Sequence, residues 1–489
     1  GDHHRWGVLG YNYSLDKNQV AVIASDSVIA TAMNFEQHQW YLRNPDSSRI
    51  QWSVDYNLRY DNAPLEGKLL RNLESNTMNA RLNARFNKNQ QLGLIMTYRT
   101  IKNLRDQNAN NDLNADNIMG RIDWNGFFLN RALRSELTFA TSTGRELRRE
   151  FVFIEVTNGQ GTHTWRDDNG DGIQDLNEFY LAINFDERNY IKVFTPTDEF
   201  IKAFTNNFNY RINLRAPYSW RKSKSAPQLF LSKFSANTSW TIVRRMTDED
   251  ICNRFVPFSN RIADQDLLST REIVRSALFF NRTNPVYGLT FNFSQSRQKQ
   301  LLTNGFEATD QESYTLTLRR NLGKVFNLKV TGAANNQYVR SDFLQSRNYN
   351  ILSREARPEL AFQPNRGLRI IGFYRLAEKR NSFRNQETDT LENARIQEFG
   401  VEVRWNKLGN RNIVVNLRNI QIDYQGALNN AVSYELLEAL QPGTNWRWSV
   451  NWQQRLGNGL QLTLIYDGRR TATAPSAIHT GRAQITALF

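Results

Sequence analysis

The chain has 489 residues, with 62 Lys and Arg against 48 Asp and Glu, a formal charge of +14 and 40% hydrophobic residues. Its mean hydropathy is −0.62, and no apolar run approaches the ~20 residues that a membrane helix needs. That excludes a helical membrane protein, but not one that crosses with strands, where only every second residue meets lipid. The lone Cys252 excludes an internal disulfide. The basic charge has three readings: a nucleic-acid surface, an anion-favouring lumen, or contact with anionic headgroups. Because Arg is scattered at alternate positions, with Arg221-Lys222-Ser223-Lys224 the one compact run, no nucleic-acid partner is expected.

Read in chain order, the start Gly1-Asp2-His3-His4-Arg5 lacks the apolar stretch of a signal peptide. A first strand is expected over Trp6–Tyr13, followed by a weak region at 19–44. Period-two alternation then becomes clear. Ile50, Trp52, Val54, Tyr56, Leu58 and Tyr60 share one face, and Gln51, Ser53, Asp55, Asn57 and Arg59 the other. Met78, Ala80, Leu82, Ala84 and Phe86 alternate with Asn79, Arg81, Asn83 and Arg85, and Leu92, Leu94, Met96 and Tyr98 repeat the pattern. Ile273–Phe280 fits a strand, although 265–280 also reads as helix. Further apolar faces are Tyr314, Leu316 and Leu318; Phe326, Leu328 and Val330; and Phe399, Val401, Val403 and Trp405. A short helix is expected over 431–440, where Val432, Leu436, Leu437 and Leu440 share a face. The chain closes with three amphipathic strands: Trp446, Trp448, Val450 and Trp452; Leu460, Leu462, Leu464 and Tyr466; and Ala483, Ile485, Ala487 and Phe489.

The sharpest motif lies at 167–178. Asp167, Asn169, Asp171, Ile173, Asp175 and Glu178 fall at positions 1, 3, 5, 7, 9 and 12 of a calcium loop, with Gly172 at the sixth. Four side-chain oxygens, the Ile173 carbonyl and a bidentate Glu178 would satisfy a Ca²⁺ ion. These twelve residues resemble the EF-hand loop, but the flanks Phe151–Val156 and Phe179–Asn184 read as extended. The resemblance therefore implies a structural calcium that orders a surface loop over 157–197, not a helix-opening sensor.

Connections alternate in length when counted back from the C-terminus. Long ones are expected at 469–478, 425–442, 379–393, 339–349, 298–310, 244–270, 157–197, 102–115 and 61–76. Short ones separate them, and 215–227 is the exception. An amphipathic last strand ending on an aromatic residue, with this parity, resembles a bacterial outer-membrane β-barrel. The expected fold is all-β: an up-and-down antiparallel transmembrane barrel of about 20–22 strands, a single domain over 1–489, with long extracellular loops and short periplasmic turns. A count of about 21 leaves the first strand without a partner, so either a strand within 19–44 goes uncounted or N-terminal residues are missing, and the second is the expectation. Richness in Asn, Arg and aromatic residues is similar to large barrels of the Bacteroidota.

The resemblance implies an outer-membrane, non-enzymatic pore or translocation channel, or a barrel subunit of a transport, secretion or assembly complex. Its partners would be outer-membrane lipid and lipopolysaccharide, and a plug domain or partner subunits, because a barrel this wide cannot fill itself. A TonB-dependent receptor barrel without its plug and a secreted calcium-binding β-sandwich adhesin are the alternatives. No catalytic residue is expected: the five histidines sit in no hydrolase or metalloprotease context. His479 and Ser476 lie at a loop-to-strand junction and carry no expectation, and Trp165 and the Tyr218–Trp220 stretch are candidate sugar-stacking aromatics.

Overall fold

The computed structural model describes residues 7–18, 21–22, 27–29, 31–44, 49–65, 68–104, 115–248, 250–258, 262, 266–302, 305–342, 347–384, 391–407, 410–456 and 459–487. Trp6 and the terminal Phe489 lie outside these residues, as does most of the expected 102–115 loop.

The strands in chain order begin β1 (Val8–Asn18), β2 (Ala21–Val22), β3 (Ser27–Val28), β4 (Met33–Arg43), β5 (Ile50–Leu65), β6 (Lys68–Asn87), β7 (Gln90–Asn103), β8 (Ala115–Phe128) and β9 (Leu133–Glu155). A small pair, β10 (His163–Trp165) and β11 (Phe179–Leu181), precedes β12 (Tyr190–Arg215), the short helices α1 (Tyr218–Arg221) and α2 (Ala226–Leu231), and β13 (Phe234–Met246). After α3 (Ile251–Phe255) come β14 (Leu267–Phe280), β15 (Tyr287–Leu302), β16 (Gly305–Leu322), β17 (Phe326–Ser341), β18 (Tyr349–Phe362), β19 (Leu368–Arg384), β20 (Leu391–Lys407) and β21 (Arg411–Gln425). The chain finishes with α4 (Ala431–Leu436), β22 (Gly443–Arg455), β23 (Leu460–Arg470) and β24 (Ile478–Ala487). No helix among the described residues is long and apolar enough to cross a membrane.

Two compact units divide the chain. The first comprises Gly1–Leu147, Glu199–Pro217 and Ser239–Arg271; the second comprises Arg148–Asp198, Tyr218–Thr238 and Glu272–Phe489. In the first, β1 pairs with β4, and β4 through β9 pair in succession, all antiparallel. In the second, β15 through β24 do the same. The fold is all-β with up-and-down connectivity, the arrangement from which large barrels are built.

Among the described residues, setting aside the two- and three-residue strands leaves twenty strands of ten residues or more, and ~9–11 residues suffice to cross a bilayer. The strand missed in the weak region is β4, which pairs with β1 along its whole length; the count is even, and β1 is not without a partner. Two loops expected to be long are not. Strands β5 and β6 stay paired as far as Leu65 and Lys68, and β15 and β16 as far as Leu302 and Gly305. The period-two alternation is broken there by Pro64, Gly67 and Gly305 and by the adjacent Leu69-Leu70 and Leu301-Leu302, which reads as loop, yet the ladder hydrogen bonds continue to the tips. The stretch 265–280 is strand, and 431–440 is helical over α4.

The Asn richness has a structural use. On the polar face of β4–β7, Gln37 donates to Asn57 (3.2 Å), Asn57 and Asn79 both donate to Asp55 (2.7 Å each), and Thr97 donates to Asn79 (2.8 Å). Cross-strand amides and hydroxyls satisfy one another where no apolar packing is available. The opposite face carries stacked aromatics, with Trp40 set between Tyr11 (5.5 Å) and Tyr56 (5.9 Å).

Candidate functional site

Strands β18 to β21 change polarity along their length. On β20, Phe399, Val401, Val403 and Trp405 form one face and Glu398, Glu402 and Arg404 the other; farther along, the second face becomes apolar at Ala394 and Ile396 while the first becomes Arg395 and Gln397. On β21, Ile413, Val415 and Leu417 lie opposite Asn416 and Arg418, but Ile420 and Ile422 continue the face of Arg418. Ala377 on β19 and Tyr349 and Ile351 on β18 behave likewise. A hydrophobic floor therefore sits beside the charged residues Arg375, Glu398 and Arg418 of the same face.

The segment 426–442 covers that floor. Asn430 caps α4: its side chain accepts from Ser433 N (2.7 Å), and Asn430 N donates to Ser433 Oγ (3.1 Å). Leu437 and Leu440 pack on Ala377, Ile396, Ile420 and Ile422, and Val432 and Leu436 on Tyr349, Ile351 and Ala394. The next turn sets Glu438 between two strand cations, at 2.7 Å from Arg375 and 2.9 Å from Lys379. Burial pushes the Glu438 carboxyl up, but Arg375 and Lys379 together outweigh it and hold the group down to about 2.

A second segment, 156–189, lies over the first. Phe153 stacks on Phe179 at 4.2 Å, anchoring the β10–β11 hairpin to β9. Tyr180 stacks on Tyr434 (5.2 Å), and the Tyr434 hydroxyl donates to Leu181 O (3.1 Å). Arg469 on β23 bonds Asp186 and Glu187 (2.8 Å each), and Arg447 on β22 bonds Asn184 (3.2 Å). Beneath lies a cavity of about 250 Å³, walled by Arg418, Arg447, Arg469 and Asp467 and roofed by Ile183 to Asp186. His163, at 5.1 Å from Phe153, is pushed down to about 4 by burial and by the Arg347 and Lys192 charges.

The turn 167–178 joins β10 to β11, so its flanks are extended, as its sequence indicates. The Asp167 carboxylate accepts from the backbone N–H groups of Gly170 (2.6 Å), Asp171 (3.1 Å) and Gly172 (2.9 Å). Asn169 and Asp171 close the next turns, accepting from Asp171 N (2.9 Å) and Ile173 N (2.7 Å). Gly172 takes φ +75°, a conformation that glycine adopts freely. Glu178 is 1% exposed; it accepts from Trp165 Nε1 (2.9 Å), Asp168 N (3.2 Å) and, at 3.4 Å, the N–H of Asp175, the residue before the 3-10 turn Leu176–Glu178. The winding and the all-oxygen donor set suit a hard cation. Among the described residues, however, no three His, Cys, Asp or Glu side chains converge as a metal-holding group, because Asp167 and Glu178 are turned to different backbone donors. His479 bonds Tyr466 OH (2.8 Å) beside Trp448 in an aromatic row.

Sequence reasoning missed the Arg375–Glu438–Lys379 cluster and the Arg469 contacts. The polarity inversion at Ile396 and Ile422 is the signal that points to them.

No family model matches the chain, and no curated protein matches it. Among solved structures the chain is similar to the siderophore receptor PirA from Pseudomonas aeruginosa, at 9% identity and a TM-score of 0.38 over 98% of this chain and 73% of that one. It is also similar to the alcaligin outer-membrane receptor FauA from Bordetella pertussis (8%, TM-score 0.34, 99% and 75%). A third is the ferric-catecholate import receptor Fiu from E. coli K12 (8%, TM-score 0.32, 95% and 72%).

Proposed function

We propose that the chain is an outer-membrane β-barrel that passes a solute or polypeptide, alone or as the barrel subunit of a transport complex, with no catalytic step of its own. One observation carries this reading. The long strands bear an apolar face opposite a face of amides and charges, and on β18 to β21 that second face turns apolar where 426–442 packs on it. Lipid explains the first feature, because backbone groups in hydrocarbon must pair within a closed sheet. A lumen narrowed by its own segments explains the second. Purified full chain should migrate faster unheated than boiled, stay soluble only with detergent, and conduct when placed in a planar bilayer. A detergent-independent soluble monomer would contradict the proposal.

We also propose that Asp167, Asn169, Asp171, Asp175 and Glu178, with the Ile173 carbonyl, take a calcium ion that rigidifies the 156–189 segment. The twelve-residue spacing and the turn at Gly172 support this. Calcium should slow proteolysis of the segment, and chelator should reverse the effect. Asp171→Ala with Glu178→Ala should abolish the calcium response. Equal cleavage with and without calcium in the native chain would refute the proposal.

A further inference from the structure

The connection between β12 and β13 is the one exception to the short-turn parity. Residues 218–233 contain Arg221, Lys222, Lys224 and Lys233 and no Asp or Glu. They also carry Tyr218, Phe230 and Leu231, which are 68%, 53% and 48% exposed. A solvated turn has no reason to expose large apolar groups between cations.

The placement of the segment suggests what covers it. Phe230 of α2 joins Phe234 at 5.4 Å and Phe280 at 5.8 Å, and those two rings lie 4.9 Å apart. Phe280 in turn neighbours Tyr287 (6.3 Å), the first residue of the apolar face that continues through Leu289, Phe291 and Phe293. Asn281 N donates to Lys233 O at 2.9 Å, tying the segment to the short turn between β14 and β15. Phe230 is thus continuous with the apolar face of the strands at their short-turn end, the cations Arg221, Lys222, Lys224 and Lys233 lie on the same short segment, and Lys222 sits over the exposed Tyr218 ring at 5.1 Å. Basic side chains bordering aromatic and aliphatic ones are the composition of a segment lying at a membrane interface.

We propose that residues 218–233 bind the phosphate headgroups of anionic phospholipids, with Arg221, Lys222, Lys224 and Lys233 as the contacting cations and Phe230 and Leu231 in the acyl boundary. This inference rests on the barrel reading above. Each basic group near an anionic surface favours association about fivefold, an effect screened by salt.

The test uses the full chain in nanodiscs, carrying Cys252→Ser and a bimane label at Ser225→Cys. Quenching by brominated phosphatidylglycerol is compared with quenching by brominated phosphatidylcholine at equal mole fraction. The native segment should prefer the anionic lipid by at least the roughly fivefold of a single cation at low salt, and less as salt rises. Arg221→Gln with Lys222→Gln, Lys224→Gln and Lys233→Gln should remove the preference, whereas Lys222→Arg with Lys224→Arg should keep it. Equal quenching by the two lipids, or a preference that survives neutralisation, overturns the proposal. Shielding of the label by soluble polyglutamate with no lipid preference also overturns it, in favour of an acidic polypeptide. Failure to enter nanodiscs of either lipid would contradict the barrel reading itself.

Discussion

Leu436 and Glu438 hold the same segment by different physics. Leu436 is 0% exposed, so Leu436→Ala removes buried apolar surface and leaves a cavity, at a cost of about 2–5 kcal/mol to the packed segment. Glu438→Gln removes the charge between Arg375 and Lys379; Arg375 keeps Glu355 (2.8 Å) and Glu398 (3.3 Å), so the loss falls mainly on Lys379, at a cost of about 1.5–3 kcal/mol. In both variants, limited proteolysis should cut within 426–442 while strand circular dichroism stays unchanged. The arginines of β22 and β23 were legible only as alternate polar residues. Their contacts depend on Asn184, Asp186 and Glu187, which are more than 250 residues away in the chain, and no periodicity encodes that.

The two covering segments share a response to acid. His163 is held at about 4, below its ordinary 6.5, so the folded hairpin disfavours its protonation. Glu438 is held at about 2, below its ordinary 4.5, so the folded segment favours its ionised form. In each case the stabilisation is present above the unfolded value and lost as pH falls towards the folded one. Protease sensitivity of 156–189 should therefore rise between pH 6.5 and 4, and that of 426–442 between pH 4.5 and 2. His163→Gln should flatten the first response and leave the second. Strands such as β16 and β20 were readable because their apolar faces keep a strict period of two. The ends of β5, β6, β15 and β16 were not, because Pro64, Gly67, Gly305 and the adjacent leucines at 69–70 and 301–302 break the alternation while the backbone pairing runs on. The helix α4 was readable from its leucine spacing, but its destination was not. An apolar helix face predicts burial, and the burying surface became visible only once Ile351, Ala377, Ile396 and Ile422 were brought together on neighbouring strands.

At the scale of the molecule, a regular meander explains the composition. On the proposed reading, a chain that is 40% hydrophobic would offer lipid one residue in two; the other face is filled with amide and charge ladders such as Gln37–Asn57–Asp55–Asn79–Thr97. The central claim is that Phe399, Val401, Val403 and Trp405 face hydrocarbon, whereas Arg395 and Gln397, on the same side of the same strand, stand clear of it. Single cysteines at Val401, Val403, Arg395 and Gln397, in a Cys252→Ser background, can be labelled with an environment-sensitive fluorophore and challenged with a lipid-phase quencher. The account predicts strong quenching at 401 and 403 and little at 395 and 397. Uniform quenching along the strand, or none at any position, would contradict it.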